Sequence, residues 1–93
     1  MFARVTTVES APEQFDGVVR LYRETIVPFT LQQEGCKGIH LLADRETGRV
    51  LTISLWQDDA AMRASEDMAT QLRTQSRMAG YSPERVERYE VVD

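Results

Sequence analysis

The sequence predicts an α+β domain of βαββαβ order, a four-stranded antiparallel sheet with two helices on one face. Three stretches carry that prediction. Gln33-Glu34-Gly35-Cys36-Lys37-Gly38-Ile39-His40-Leu41-Leu42 reads as a helix end stopped by glycine and followed by a strand. Asp44-Arg45-Glu46-Thr47-Gly48 supplies a tight turn. Val50-Leu51-Thr52-Ile53-Ser54-Leu55-Trp56 is then the second arm of a hairpin.

The remaining elements fall into place around this hairpin. Phe2 to Val8 (FARVTTV) is rich in β-branched residues and is bounded by Glu9-Ser10-Ala11-Pro12, so it reads as the first strand. Ser10 or Ala11 precedes a helix whose first turn accepts Pro12, because the missing N–H has no partner there anyway. Glu13 and Asp16 add negative charge near the positive end of the helix dipole. Phe15, Val19, Tyr22, Ile26 and Phe29 then form an apolar stripe at helical spacing. Pro28 removes one intrahelical bond and should kink this helix or start a new turn. Gly35 ends it, since glycine accepts a left-handed conformation cheaply.

The hairpin arms are Ile39–Ala43 and Val50–Gln57, with Gly48 as the left-handed turn residue. Asp58 is a suitable N-cap for the second helix. Ala61, Ser65, Met68 and Leu72 share one face of it, a small and methionine-containing stripe. Ser76 to Glu84 reads as a loop, and Val86 to Val92 as the last strand.

Composition narrows the function classes. Ninety-three residues make one small domain, taken as residues 1–93, with 42% hydrophobic residues. Eleven basic against fifteen acidic residues give a net charge of −4 with no basic cluster, so neither nucleic acid nor anionic lipid is an expected partner. No apolar run is long enough to span a bilayer. The start, Met1-Phe2-Ala3-Arg4-Val5, goes directly into a strand pattern, and the single cysteine fits a reducing cytoplasm. Right-handed connections place both helices on the same sheet face. The other face keeps apolar residues whichever parity it takes, from Leu51, Ile53 and Leu55 or from Phe2 and Val8. Pairing with a second copy is the expected way to cover them, giving a homodimer through the sheet faces.

At Glu34-Gly35-Cys36-Lys37-Gly38 and Leu55-Trp56-Gln57-Asp58-Asp59-Ala60-Ala61 the chain resembles the antibiotic biosynthesis monooxygenase domain. That family is a branch of the dimeric α/β-barrel proteins, built from ferredoxin-like βαββαβ units. The resemblance in element order covers nearly the whole chain. It implies a cofactor-independent monooxygenase or related small-molecule enzyme acting on an aromatic or polyketide-like substrate. Its haem-degrading branch carries Asn on strand one, and Trp then His ten residues later on helix two. Here strand one offers Arg4, Thr6 and Thr7, and helix two offers Ala64 and Thr74, so haem degradation is disfavoured.

The oxygenase reading needs a base to form a phenolic or quinol anion that passes an electron to oxygen. His40 is the one side chain that titrates near neutral pH unaided, and it is the catalytic candidate within a cavity roofed by the helices. The competing role is a strand residue satisfied by a carbonyl or water at the dimer face. Trp56 could stack on a flat ligand or wall the core. Tyr22 could present its hydroxyl to a pocket, and Tyr81, with Met78, sits in a loop that gates a cavity or simply docks. Arg4 neutralises an anionic substrate if it faces the helices, or pairs with Glu87 or Glu90 if it faces a partner. Cys36 lies at the negative end of a helix, where a thiolate gains nothing, and is read as packing. No metal-ligand set and no phosphate loop is present, so no cofactor is expected. The second reading is a non-catalytic small-molecule-binding or accessory homodimer of the same fold.

Overall fold

The computed structural model describes the backbone of residues 1–93 and every side chain except those of residues 83 and 84. Strands β1 (Phe2–Glu9), β2 (Cys36–Asp44), β3 (Arg49–Trp56) and β4 (Pro83–Glu90) form one antiparallel sheet in the order β2-β3-β1-β4. Helices α1 (Phe15–Leu21) and α2 (Val27–Leu31) flank a π-helical segment, Tyr22–Ile26. Helices α3 (Asp59–Ala64) and α4 (Glu66–Met78) form the second connection. Among the described residues, no helix is long and apolar enough to cross a membrane.

The local signals hold. Gly35 stands at φ +85°, and the carbonyl it presents accepts from the Gln57 N–H at 2.9 Å, joining the helix end to the end of β3. Asp58 caps α3 by accepting from the Ala61 N–H at 2.7 Å. Gly48 stands at φ +76°, and a Cβ there would collide with the carbonyl of Ser10, so the turn admits no other residue without strain.

Two departures from regular helix have identifiable causes. Pro28 brings no N–H to the ladder, and just before it the Val27 N–H bonds to the carbonyl of Tyr22, the wider i→i+5 spacing of a π turn. The buried stripe is Phe15, Val18, Tyr22, Ile26 and Thr30, and the wider turn accounts for its end passing from Phe29 to Thr30. The expected positions Val19 and Phe29 are corrected accordingly: Val19 is half-buried and Phe29 is 51% exposed. The second departure splits the expected single helix at Ser65. Both the Ser65 hydroxyl, at 2.7 Å, and the Arg4 guanidinium, at 2.8 Å, donate to the carbonyl of Met62. A side chain entering the helix ladder in this way produces a break. Helix α4 also runs on to Met78, and β4 begins at Pro83, so the expected loop of Ser76 to Glu84 is shorter at both ends.

The two sheet faces are sorted by burial and register. Arg4, Thr6, Val8, Val50, Thr52, Ser54 and Trp56 are buried beneath the helices. Val8 and Val50 join Phe15, Val18, Tyr22, Ile26 and Leu72 in the apolar core. The opposite face carries Val5, Leu51, Ile53, Leu55, His40 and Leu42, with Tyr89, Glu87 and Arg85 from β4. The face without helices is thus the more apolar across the central strands, the reverse of an ordinary two-layer domain.

Candidate functional site

Between the sheet and the helices lies a cavity of about 30 Å³, roomy enough for a water molecule. Its sheet side is polar: Arg4 and Thr6 from β1, Thr52 and Ser54 from β3, with Ile39 from β2. Tyr22, Ile26 and Thr30 close it from the π-helical segment and α2. Ala69, Leu72 and Arg73 close it from α4. The alternation of β1 and β3 aims these hydroxyls inward together with Arg4.

Arg4 is the centre of this arrangement and is 3% exposed. Its Nη2 donates to the Met62 carbonyl at 2.8 Å, to Ser65 Oγ at 2.7 Å and to Glu66 Oε1 at 3.1 Å. The guanidinium carbon lies 5.3 Å from the ring centroid of Trp56, a cation–π contact. Trp56 is held in turn, its Nε1 donating to Ser54 Oγ at 2.9 Å. The Nε of Arg4 is buried and has no hydrogen-bond partner among the described residues. Such a donor is rare in native interiors and carries a cost until something accepts from it.

Glu66 neutralises this corner. It accepts a bidentate pair from Arg88, at 2.8 Å and 2.8 Å, beside the bond from Arg4. The hydrogen bonds from Arg88, with smaller attraction from Arg4, outweigh desolvation and lower its pKa from 4.5 to about 2. Above pH 4.5 the pairing contributes fully to stability, and it is lost as the pH falls towards 2. Glu66→Gln should therefore flatten the acid limb of the stability profile in that window. Urea unfolding between pH 2 and 6 checks this; parallel wild-type and variant profiles would refute it.

Each sequence candidate now has a place. Arg4 faces the helices and not a partner, so its pairing is with Glu66 instead of Glu87 or Glu90. Tyr22 is 1% exposed and lines the cavity, its hydroxyl donating to Ser76 Oγ at 3.3 Å. Burial pushes that hydroxyl's pKa up, which keeps it a donor. Trp56 touches the site through Arg4. Tyr81 does not line the cavity: it packs over Gly17, whose missing Cβ makes room for its ring. His40 is the correction. It is exposed on the opposite sheet face, across from Ile53, and is not roofed by the helices as expected. The cause is register, because Ile39 and Leu41 take the inward positions of β2.

The family description for antibiotic biosynthesis monooxygenase matches residues 1–77. The chain belongs to that family. The Mycobacterium tuberculosis protein Rv2558, described as uncharacterized, is 32% identical over 91 residues. The match covers 98% of this chain but only 39% of that relative, so the chain spans about two fifths of its length. A crystal structure described as an antibiotic biosynthesis monooxygenase is similar at 25% identity and TM-score 0.72, covering 100% of both chains. A monooxygenase of Streptomyces coelicolor, solved with the ligand nanaomycin D, is similar in fold at TM-score 0.74 and 14% identity. That likeness covers 99% of this chain and 88% of the other.

Reading the sequence missed Thr6, Thr30, Thr52, Ser54, Glu66 and Arg73. The strand hydroxyls were invisible because alternation alone does not say which parity faces the helices. Glu66 and Arg73 had a usable signal, since both fall on the stripe side of α4 beside Ala69 and Leu72, where a charge needs a reason. Among the described residues, no group of three or more His, Cys, Asp or Glu side chains is placed to hold a metal ion.

Proposed function

We propose that this domain binds a small aromatic molecule between sheet and helices and promotes its oxygenation by O₂. The observation that carries the reading is the buried Arg4 at the cavity, with an Nε that no group among the described residues satisfies. Around it stand apolar walls from Ile26, Ile39 and Leu72, the mixture that small-molecule sites use. The Streptomyces coelicolor neighbour holds nanaomycin D on the same fold, which supports a flat polycyclic class of ligand. At about 30 Å³ the space holds a water and not such a ring, so the reading requires the Tyr22–Thr30 wall to move outward on binding. The chemistry needs no external reductant: a phenol and O₂ give a quinone and water, every electron coming from the ring. Electron transfer from the phenolate to O₂ forms a radical pair, recombination forms a peroxide, and loss of water leaves the quinone.

A second copy of the chain completes the reading by covering the apolar sheet face, as a homodimer. The catalytic assignment to His40 does not belong to this cavity. Among the described residues the lining offers no carboxylate and no imidazole, and that observation favours a second reading, a dimer that binds an aromatic ligand without turning it over. Oxygen uptake with a panel of hydroquinones and naphthols separates the two. Protein-dependent uptake, with one atom of labelled O₂ in the product, supports the oxygenase. Arg4→Gln should then slow it by about 10²–10³-fold, the usual scale for an oxyanion donor, with the circular dichroism spectrum retained. Ligand binding without uptake establishes the accessory dimer instead.

A further inference from the structure

The cavity between sheet and helices is small, polar and cationic, and these three properties together specify an occupant. At about 30 Å³ it has the bulk of a single water molecule, which a ring or a polyatomic oxyanion such as sulfate exceeds. Its lining brings two guanidiniums, those of Arg4 and Arg73, and the hydroxyls of Thr6, Thr30 and Thr52. A hydroxyl proton rotates to suit its partner, so each of these can donate to an anion.

The charges at this place do not balance. Among the described residues, Glu66 is the one carboxylate paired with Arg4, Arg73 and Arg88, so one negative charge serves three positive ones. Arg88 takes both of its oxygens at 2.8 Å, the bidentate geometry that gives the strongest pairing. Arg4 shares Oε1 at 3.1 Å, while Arg73 stands 3.9 Å from Oε2. The Arg73 side chain is only 14% exposed, so little water reaches its charge. Burial lowers the pKa of both Arg4 and Arg73, and Arg4 adds repulsion at Arg73. A separate observation points the same way: the buried Nε of Arg4 has no acceptor among the described residues. A water molecule would accept from Nε but bring no charge. An anion of similar bulk does both.

We infer that the closed cavity is a binding site for a halide-sized anion, chloride in ordinary solution, held by Arg4 and Arg73 and by the hydroxyls around them. The inference goes beyond the reading above: it concerns the cavity before any wall moves, and it stands whether or not an aromatic ligand ever enters. The ion bridges β1 and α4, which supply Arg4 and Arg73, and so ties the sheet to the helix that covers it. It stabilises the fold as any ligand of the native state does. Volume excludes larger anions, and charge excludes cations.

Chloride nuclear magnetic resonance on the full chain tests binding in solution, because a bound quadrupolar ion broadens the line of the free one. Broadening should grow with protein concentration and be competed away by bromide, which is close in size, but not by sulfate at equal ionic strength. The thermal midpoint should rise with chloride along a saturating curve that sulfate does not reproduce. Crystals grown in sodium bromide locate the ion: an anomalous peak should stand in the cavity, within hydrogen-bond reach of Arg4 and Arg73. Arg73→Gln should weaken the affinity by about tenfold or more, the usual worth of a charged hydrogen bond, with the circular dichroism spectrum retained. Arg73→Lys keeps the charge and should recover part of the loss. Arg45→Gln removes an exposed guanidinium that stacks on the Phe15 ring at 4.6 Å, and it should leave the broadening as it is. A line and a midpoint that both ignore chloride would overturn the inference, as would water without an anomalous peak in the cavity of the bromide crystals. Broadening unchanged in Arg73→Gln would put the ion elsewhere and overturn the site. None of these readouts involves oxygen uptake, so this inference and the oxygenase reading fail separately.

Discussion

Trp56→Ala should cost about 3–5 kcal/mol of stability, the range for truncating a large buried aromatic, and should loosen the site at the same time. Trp56 is fully buried, at 0% exposure, and its ring is the surface against which the Arg4 guanidinium lies. Removing it opens a void, takes away the donor to Ser54 Oγ, and leaves Arg4 without its stacking partner. The loss should exceed that of a lone aliphatic truncation in the core, because a cation and a hydrogen bond go with the ring. Urea unfolding followed by far-ultraviolet circular dichroism measures it, the variant having no tryptophan to report. A cost below about 1 kcal/mol would mean that the indole is not the wall described.

Val5→Asp should separate the proposed homodimer without unfolding the protomer. Val5 sits in the middle of the face without helices, between Ile53 on β3 and Glu87 on β4. A carboxylate there meets apolar neighbours on one side and a like charge on the other. Burying it against a second copy costs about 3 kcal/mol per protomer or more, which weakens association by at least ~100-fold. The wild type should sediment as a dimer at micromolar concentration, with more than about 1,000 Å² buried in total. The variant should sediment near the protomer mass of 10.6 kDa. A wild type at that mass would show that the face is covered by something other than a copy.

What could be read from the sequence divides by the range of the forces involved. Gly35, Gly48 and Asp58 announced themselves because a positive φ or an N-cap is decided within a few residues. The break at Ser65 was not legible, because its cause is Arg4, 61 positions away in sequence. The positions of Arg4 and His40 depended on which parity of each strand turns inward. Ordinary polarity would have put Leu51, Ile53 and Leu55 beneath the helices; the structure puts Val50, Thr52, Ser54 and Trp56 there. The inversion leaves the apolar residues of the central strands on the open face, which the proposed homodimer would cover. The site residues missed from β1, β3 and α4 all follow from that parity and from the helix break.

The π turn bears on how the chain's interior could have been filled. In an ordinary α turn, Phe29 lies seven positions after Tyr22 and would return to the same face. With the wider turn in place, the buried position passes to Thr30, and Phe29 points away from the core. A phenyl group is too large for a space of about 30 Å³, so the regular helix would plug the cavity. The insertion of a single residue thus separates a solid interior from a hollow one.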